Sequence, residues 1–321
     1  MSLDYRVKRD LSIDGVKFAT LWLVVLGHVL LFYDPACPSL FNMVPVAVPG
    51  AGPMARAIYS FHMPLFFMLA GMVYRPGKGC GAFIWKKVKR LLLPSMAVFI
   101  GLMIPTLLYL GYYTPLTWRD FVFNYNLRHV WYAHALFCIF VLNRLCDALH
   151  MPKWLKLLAA GLVFFIHPAL PINCLGPNII YFQIGEVFGK RFNCRPAIWL
   201  TAGLAFALAF YTAGGREWPP VVQDLYVLGL AVTGGLFFYN LAKHIHYHSK
   251  EQLGVYLLHP MIIYLIHHAL QAYHLPSWPL IIGVTGVSFA LSMALTRLYH
   301  LLVRGRLIPA AKSLLAGGFG R

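Results

Sequence analysis

Charge of one sign is what this chain has least of: ten Asp and Glu stand against 27 Lys and Arg in 321 residues, and only 12% of positions are charged. With 60% hydrophobic residues and a mean hydropathy of +0.66, too little polar surface remains to solvate soluble globules. Disorder is excluded with them, because it requires few apolar residues, and so is a coiled coil, because no charged heptad seam accompanies the apolar runs. The six cysteines (Cys37, Cys80, Cys138, Cys146, Cys174 and Cys194) form no CxxC pair. They define neither a zinc site nor a disulfide framework and read as buried small apolar residues; no metal is expected. No internal repeat, soluble linker, appended domain or cleavable leader is evident.

What is present is a series of apolar runs of roughly 20 residues, the length that crosses a bilayer core about 30 Å thick. The fold expected is an all-α polytopic membrane protein, one domain over residues 1–321 with about ten transmembrane helices. They lie near 13–33, 56–74, 91–110, 129–148, 154–170, 177–189, 197–213, 221–241, 252–273 and 279–302, the sixth being short.

With both termini cytoplasmic, 21 of the 27 basic residues fall on the inner side. They include Arg75, Lys86, Lys87, Lys89 and Arg90 in one connection and Arg144, Lys153 and Lys156 in the next. Four remain outside: Arg56, Arg119, Arg128 and Arg216. That asymmetry fixes the orientation and accounts for most of the net +17, so the basic charge is topology and nucleic acid is not an expected partner. Trp118, Trp131, Trp218 and Trp278 lie where interfacial aromatic belts occur.

Ionisable residues inside spans are costly and are candidates for function. The first helix carries Asp14, Lys17 and His28. Eleven positions separate Lys17 from His28, about 16 Å along the axis and nearly one face of the helix. Asp14 lies three residues before Lys17, where an ion pair lowers the cost of both. His62 in the second helix falls in the same outer half as His28, inside a stretch holding Pro64 and Gly71, which suits close helix packing. Trp131 and His134 in the fourth helix and His259 in the ninth are candidates for a pocket. Each histidine has a plainer reading as a packing residue bonded to a backbone carbonyl. Acids near the middle of the membrane are lacking, which counts against a carboxylate relay of the kind that proton-coupled carriers use. Lys86, Lys87, Lys89 and Arg90, beside a helix mouth and with Lys17, have two readings: topology alone, or a site for the phosphates of an anionic cofactor.

On these residues the chain resembles the acyltransferase 3 family of membrane O-acyltransferases over nearly its whole length. The resemblance rests on Lys17, ten intervening positions and His28; on Phe66-Phe67-Met68-Leu69-Ala70-Gly71; on Lys87-Val88-Lys89-Arg90; and on Tyr256-Leu257-Leu258-His259. The Phe61-His62-Met63-Pro64-Leu65-Phe66-Phe67 stretch is similar to the fucose 4-O-acetylase-like branch. Lys stands at 17 and 87 where the family usually has Arg, which keeps charge but loses a bidentate grip. Ala70 stands where Ser is common.

The resemblance implies an enzyme of the bacterial inner membrane that moves an acyl group, commonly acetyl from acetyl-CoA, to a saccharide hydroxyl at the outer face. In such an enzyme His28 is expected to act as general base, with covalent carriage of the acyl group the alternative, and His62 and Asp14 are expected in support. Lys17, Arg75, Lys87 and Arg90 would bind the donor, and Trp131, His134 and His259 the acceptor, which is an envelope polysaccharide, oligosaccharide or lipid-linked sugar. A separate periplasmic transferase remains a possible partner. The rival readings are a lipid or sugar flippase, which would consume no CoA, and a non-catalytic membrane scaffold.

Overall fold

The computed structural model describes residues 11–37, 46–77, 79–111, 130–167, 175–213, 216–247, 251–270 and 277–304. Among them the regular structure is helical, with no strand. The helices are α1 (Leu11–Leu30, continued by a 3-10 turn to Tyr33), α2 (Ala51–Met72), α3 (the helical rod Cys80–Tyr109), α4 (Trp131–Ala148) and α5 (Lys153–Ile166). They are followed by α6 (Gly176–Phe188), α7 (Pro196–Ala213), α8 (Pro220–Ala242), α9 (Gln252–Leu270) and α10 (Trp278–Arg304). Their order follows the apolar runs of the sequence. Six of these rods, α1, α3, α7, α8, α9 and α10, are long and apolar enough to cross a membrane. In α2, Arg56, Ser60, His62 and Pro64 dilute the apolar run, and α5 and α6, at 14 and 13 residues, fall short of the roughly 20 that a crossing needs.

The third rod begins at Cys80 and not near 91, so the basic cluster lies within the helix and not ahead of it. Two stretches of this rod, Val88–Leu92 and Phe99–Met103, are π-helical. Each immediately precedes a proline pair, Leu93-Pro94 and Ile104-Pro105. A proline has no N–H, and its ring collides with the carbonyl four residues back, so the turn widens. The N–H of Leu93 then reaches the carbonyl of Val88, and that of Ile104 the carbonyl of Phe99, five residues back in both cases. The Lys87–Arg90 motif therefore sits at a widened turn.

Helices α2 and α6 cross backbone against backbone. A methyl group added at Gly71 would strike the carbonyl of Phe182, and one added at Gly185 the carbonyl of Met68. Small residues permit this approach, and dispersion between the two backbones replaces the hydrophobic drive that lipid cannot supply.

Buried side chains form two cores. One gathers Val24, Val29, Leu257 and Ile263 of α1 and α9 with Ile281 of α10; the other gathers Phe67, Met68, Ile139 and Phe182 of α2, α4 and α6. Trp131 and Tyr132, at the start of α4, pack against both. The seam between the cores is where the candidate site lies.

The cysteines depart from the expectation of burial: the five described ones are only half-buried and free of disulfides, and Cys174 lies outside the described residues. None packs deeply enough to act as a core residue. Arg119, Arg128 and Trp118 also lie outside the described residues.

Candidate active site

At the seam is a cavity of about 270 Å³ lined by Val24, His28, Tyr59, His62, Met63, Trp131, Tyr256 and His259. Four helices contribute, and helical spacing explains how. Val24 and His28 are four apart on α1, Tyr59 and His62 three apart on α2, and Tyr256 and His259 three apart on α9, so each pair shares one face. Trp131 closes the cavity from the first residue of α4.

The three imidazoles are held in the same way. Nδ1 of His28 donates to the carbonyl of Val24 at 2.8 Å, Nδ1 of His62 to that of Ile58 at 2.8 Å, and Nδ1 of His259 to that of Val255 at 3.0 Å. A carbonyl only accepts, so each ring carries its proton on Nδ1 when neutral, and Nε2 is its basic nitrogen. Each bond also fixes the ring against its own helix. The His28 and His259 rings meet edge to face with centroids 5.0 Å apart. Tyr59 bridges the other way, 6.0 Å from His28 and 4.9 Å from His62. His62 and His259 are 1% and 0% exposed, whereas His28 is partly open. No carboxylate appears among the described residues lining the cavity. The arrangement suits proton removal from a neutral hydroxyl.

The structure thus brings His28, His62, Trp131 and His259 to one space. His134, one turn further along α4, does not line it, and its Nδ1 is buried with no hydrogen-bond partner among the described residues. Asp14 is 14 residues before His28, about 21 Å away by helix rise, and cannot touch that imidazole. It is buried in the first turn of α1, where the side chain of Gln252 donates to its backbone carbonyl at 3.0 Å.

Around Asp14's end of the bundle lie the cations expected to hold a donor. Lys87 points its Nζ over the ring of Phe140 at 3.4 Å and sits 5.3 Å from the Phe83 centroid. Its like-charged neighbours are Arg90, Lys86 and Lys17, so α1 and α3 do bring these cations near one another. Three or more positive groups kept close repel one another and are eased by an anion. Arg75, just beyond α2, is exposed.

Sequence reasoning missed two features. Tyr59 and Tyr256 line the cavity, and their spacing of three from a candidate histidine was a usable signal. The second feature is a buried ionic network. Lys156, counted above as a loop cation, is 1% exposed in its side chain and bonds Asp147 at 2.9 Å and both oxygens of Glu186 at 2.9 and 3.0 Å. Asn143 donates to Glu186 at 3.0 Å, Gln183 to Asn143 at 2.8 Å, and the Tyr74 hydroxyl to Asp147. Tyr74 in turn packs on Phe83 and Phe140, the two rings beside Lys87.

The family model described as an acyltransferase domain, of the acyltransferase 3 type, matches residues 10–297. No curated protein and no solved structure matches the chain.

Proposed function

The chain belongs to the acyltransferase 3 family, and from that premise we propose that it is a multi-pass membrane O-acetyltransferase that moves the acyl group of cytoplasmic acetyl-CoA to a hydroxyl of an envelope or exported saccharide. The finer reading places it in the fucose 4-O-acetylase-like branch, in a bacterial inner membrane, with ten crossings and both termini cytoplasmic. The observation that carries the proposal is the shared cavity of His28, His62 and His259, with one Nδ1 tether repeated three times.

In the reaction, Nε2 of His28 takes the proton from the acceptor hydroxyl as its oxygen attacks the thioester carbonyl carbon. The C–O bond forms, the C–S bond breaks, and the imidazolium returns the proton to the departing CoA thiolate. The Val24 carbonyl, already bonded to Nδ1–H, steadies the imidazolium while it exists. His62 and His259 orient the hydroxyl, and Trp131 offers an apolar face to a sugar ring. Lys17, Lys87 and Arg90, with Arg75 at the edge, bind the donor phosphates. His134 is left as an outlying acceptor contact, and Asp14 as a group that anchors the Lys17 end of α1.

The test is acyl transfer from radiolabelled acetyl-CoA to the host's envelope glycans by purified protein. Labelled glycan is expected from the wild type and none from His28→Ala, at equal insertion and thermal stability. Label transfer by His28→Ala at the wild-type rate would reject the assignment, and glycan movement across vesicles without CoA release would establish transport instead. If label accumulates only when a second, periplasmic protein is added, this chain delivers the acyl group and its partner places it.

A further inference from the structure

A second cavity, of about 400 Å³, lies apart from the imidazole cavity, between α3, α9 and α10. On α9 it is lined by Gly254, Leu257 and Leu258, whereas the imidazole cavity takes Tyr256 and His259. At 100° per residue these two sets lie on opposite faces of α9, so the helix separates the cavities. The remaining walls are mostly apolar: Pro94, Ala97, Val98 and Leu102 on α3, and Leu295 on α10, with the Tyr299 hydroxyl the one further polar group of the lining. The one threonine in the lining is already occupied, its hydroxyl donating to the Ser292 carbonyl at 2.7 Å. Leu102 and Leu295 are 48% and 46% exposed, so the cavity opens sideways, toward lipid.

Three observations narrow the occupant. A buried water needs two to four polar partners, which so apolar a lining does not supply, and a dry void facing hydrocarbon fills with hydrocarbon. The α3 wall from Pro94 to Val98 lies between the two π-helical stretches, whose widened turns shape the opening. Cations flank the lining residues at this end: Lys89 precedes Pro94 by about one turn, and Arg297 directly follows Thr296. The guanidinium of Arg297 reaches Glu251 only side-on, Nε to carboxylate 3.6 Å, and its side chain stays 57% exposed. A phosphate at that level would find a positive rim, and a chain attached to it would find the apolar groove.

We propose that this groove holds one acyl chain of an anionic phospholipid of the cytoplasmic leaflet, with the headgroup phosphate at Arg297. The site is independent of acyl transfer, and its test uses none.

The full-length protein is equilibrated in mixed micelles with equal phosphatidylglycerol and phosphatidylcholine, and native mass spectrometry reads the lipid retained. One phosphatidylglycerol per chain is expected, in preference to phosphatidylcholine. Ala97→Trp fills the groove and should lower retention by about tenfold, the equivalent of displacing two methylenes. Ala97→Leu, a milder filling, should give an intermediate loss and serves if the tryptophan variant does not fold. Arg297→Gln should keep the lipid but abolish the preference. Equal retention of both lipids by the wild type, or undiminished phosphatidylglycerol on either Ala97 variant, would overturn the proposal. So would a dimer that dissociates on Ala97 substitution, or displacement of the lipid by long-chain acyl-CoA, because each names a different occupant.

Discussion

The imidazole cavity and the Lys156 network are both polar and both buried, but they are solved in opposite ways. In the cavity, Nδ1 of each histidine is held by its own helix, four residues back, so no imidazole depends on another for its tether. In the network, Lys156, Asp147 and Glu186 pair with one another across α4, α5 and α6, helped by Asn143 and Lys153 at Glu186 and by Tyr74, just beyond α2, at Asp147. Locally tethered groups can be removed without unbalancing the fold, whereas mutually paired ions cannot. The first region is therefore free to serve chemistry, and the second is committed to holding three helices and the segment after α2 together.

The largest effect that can break this contrast is on stability. Lys156→Met should lower thermal stability in detergent by about 3 kcal/mol, because the buried Glu186 carboxylate and the partly buried Asp147 lose their shared cation. Adding Asp147→Asn and Glu186→Gln should recover much of that loss; no recovery would show that the charges do not depend on one another. His62→Ala should cost little stability but reduce acyl transfer by roughly 10-fold to 100-fold, as expected for a group that orients the acceptor hydroxyl. A melting-point drop as large as that of Lys156→Met would erase the distinction between the regions.

At the donor end, Arg90→Ala should raise the KM for acetyl-CoA by about tenfold with kcat nearly kept, the loss of one charge-assisted contact. A fall in kcat alone would move Arg90 from binding to the chemical step. The smallest effect concerns Cys37, outside the spans. Burial, and secondarily the Asp34 carboxylate, push its thiol above the ordinary value. Asp34→Asn should lower that value, raise the thiolate fraction near pH 8 and speed maleimide labelling by less than about tenfold. A membrane-impermeant maleimide should label Cys37 in intact cells if the first connection is outside; protection until lysis would reverse the orientation.

Much of the bundle was legible because apolar runs announce helices independently of what surrounds them. The start of α3 was not, since Cys80 to Arg90 mixes Trp85 and Phe83 with four cations and reads as a loop until tertiary packing places Phe83 inside and Lys87 over Phe140. His28 and His62 were readable from their depth in adjacent helices, but the edge-to-face contact of His28 with His259 joins the first helix to the ninth, a pairing no local pattern encodes. Lys156 was misread for the same reason. A cation near a helix start looks like topology until Asp147 and Glu186 arrive from other helices. Gly71 was read correctly as a packing position, although its partner, the Phe182 carbonyl of α6, was not foreseeable.

The central claim is that His28 removes the acceptor's proton. The most direct measurement is single-turnover CoA release by purified His28→Gln with acetyl-CoA and glycan, with donor binding measured alongside. The account predicts an unchanged donor Kd and a rate lowered by about 10²- to 10⁴-fold, the share of catalysis a positioned base supplies. An unchanged rate, or a lost rate explained by lost donor binding, would contradict it.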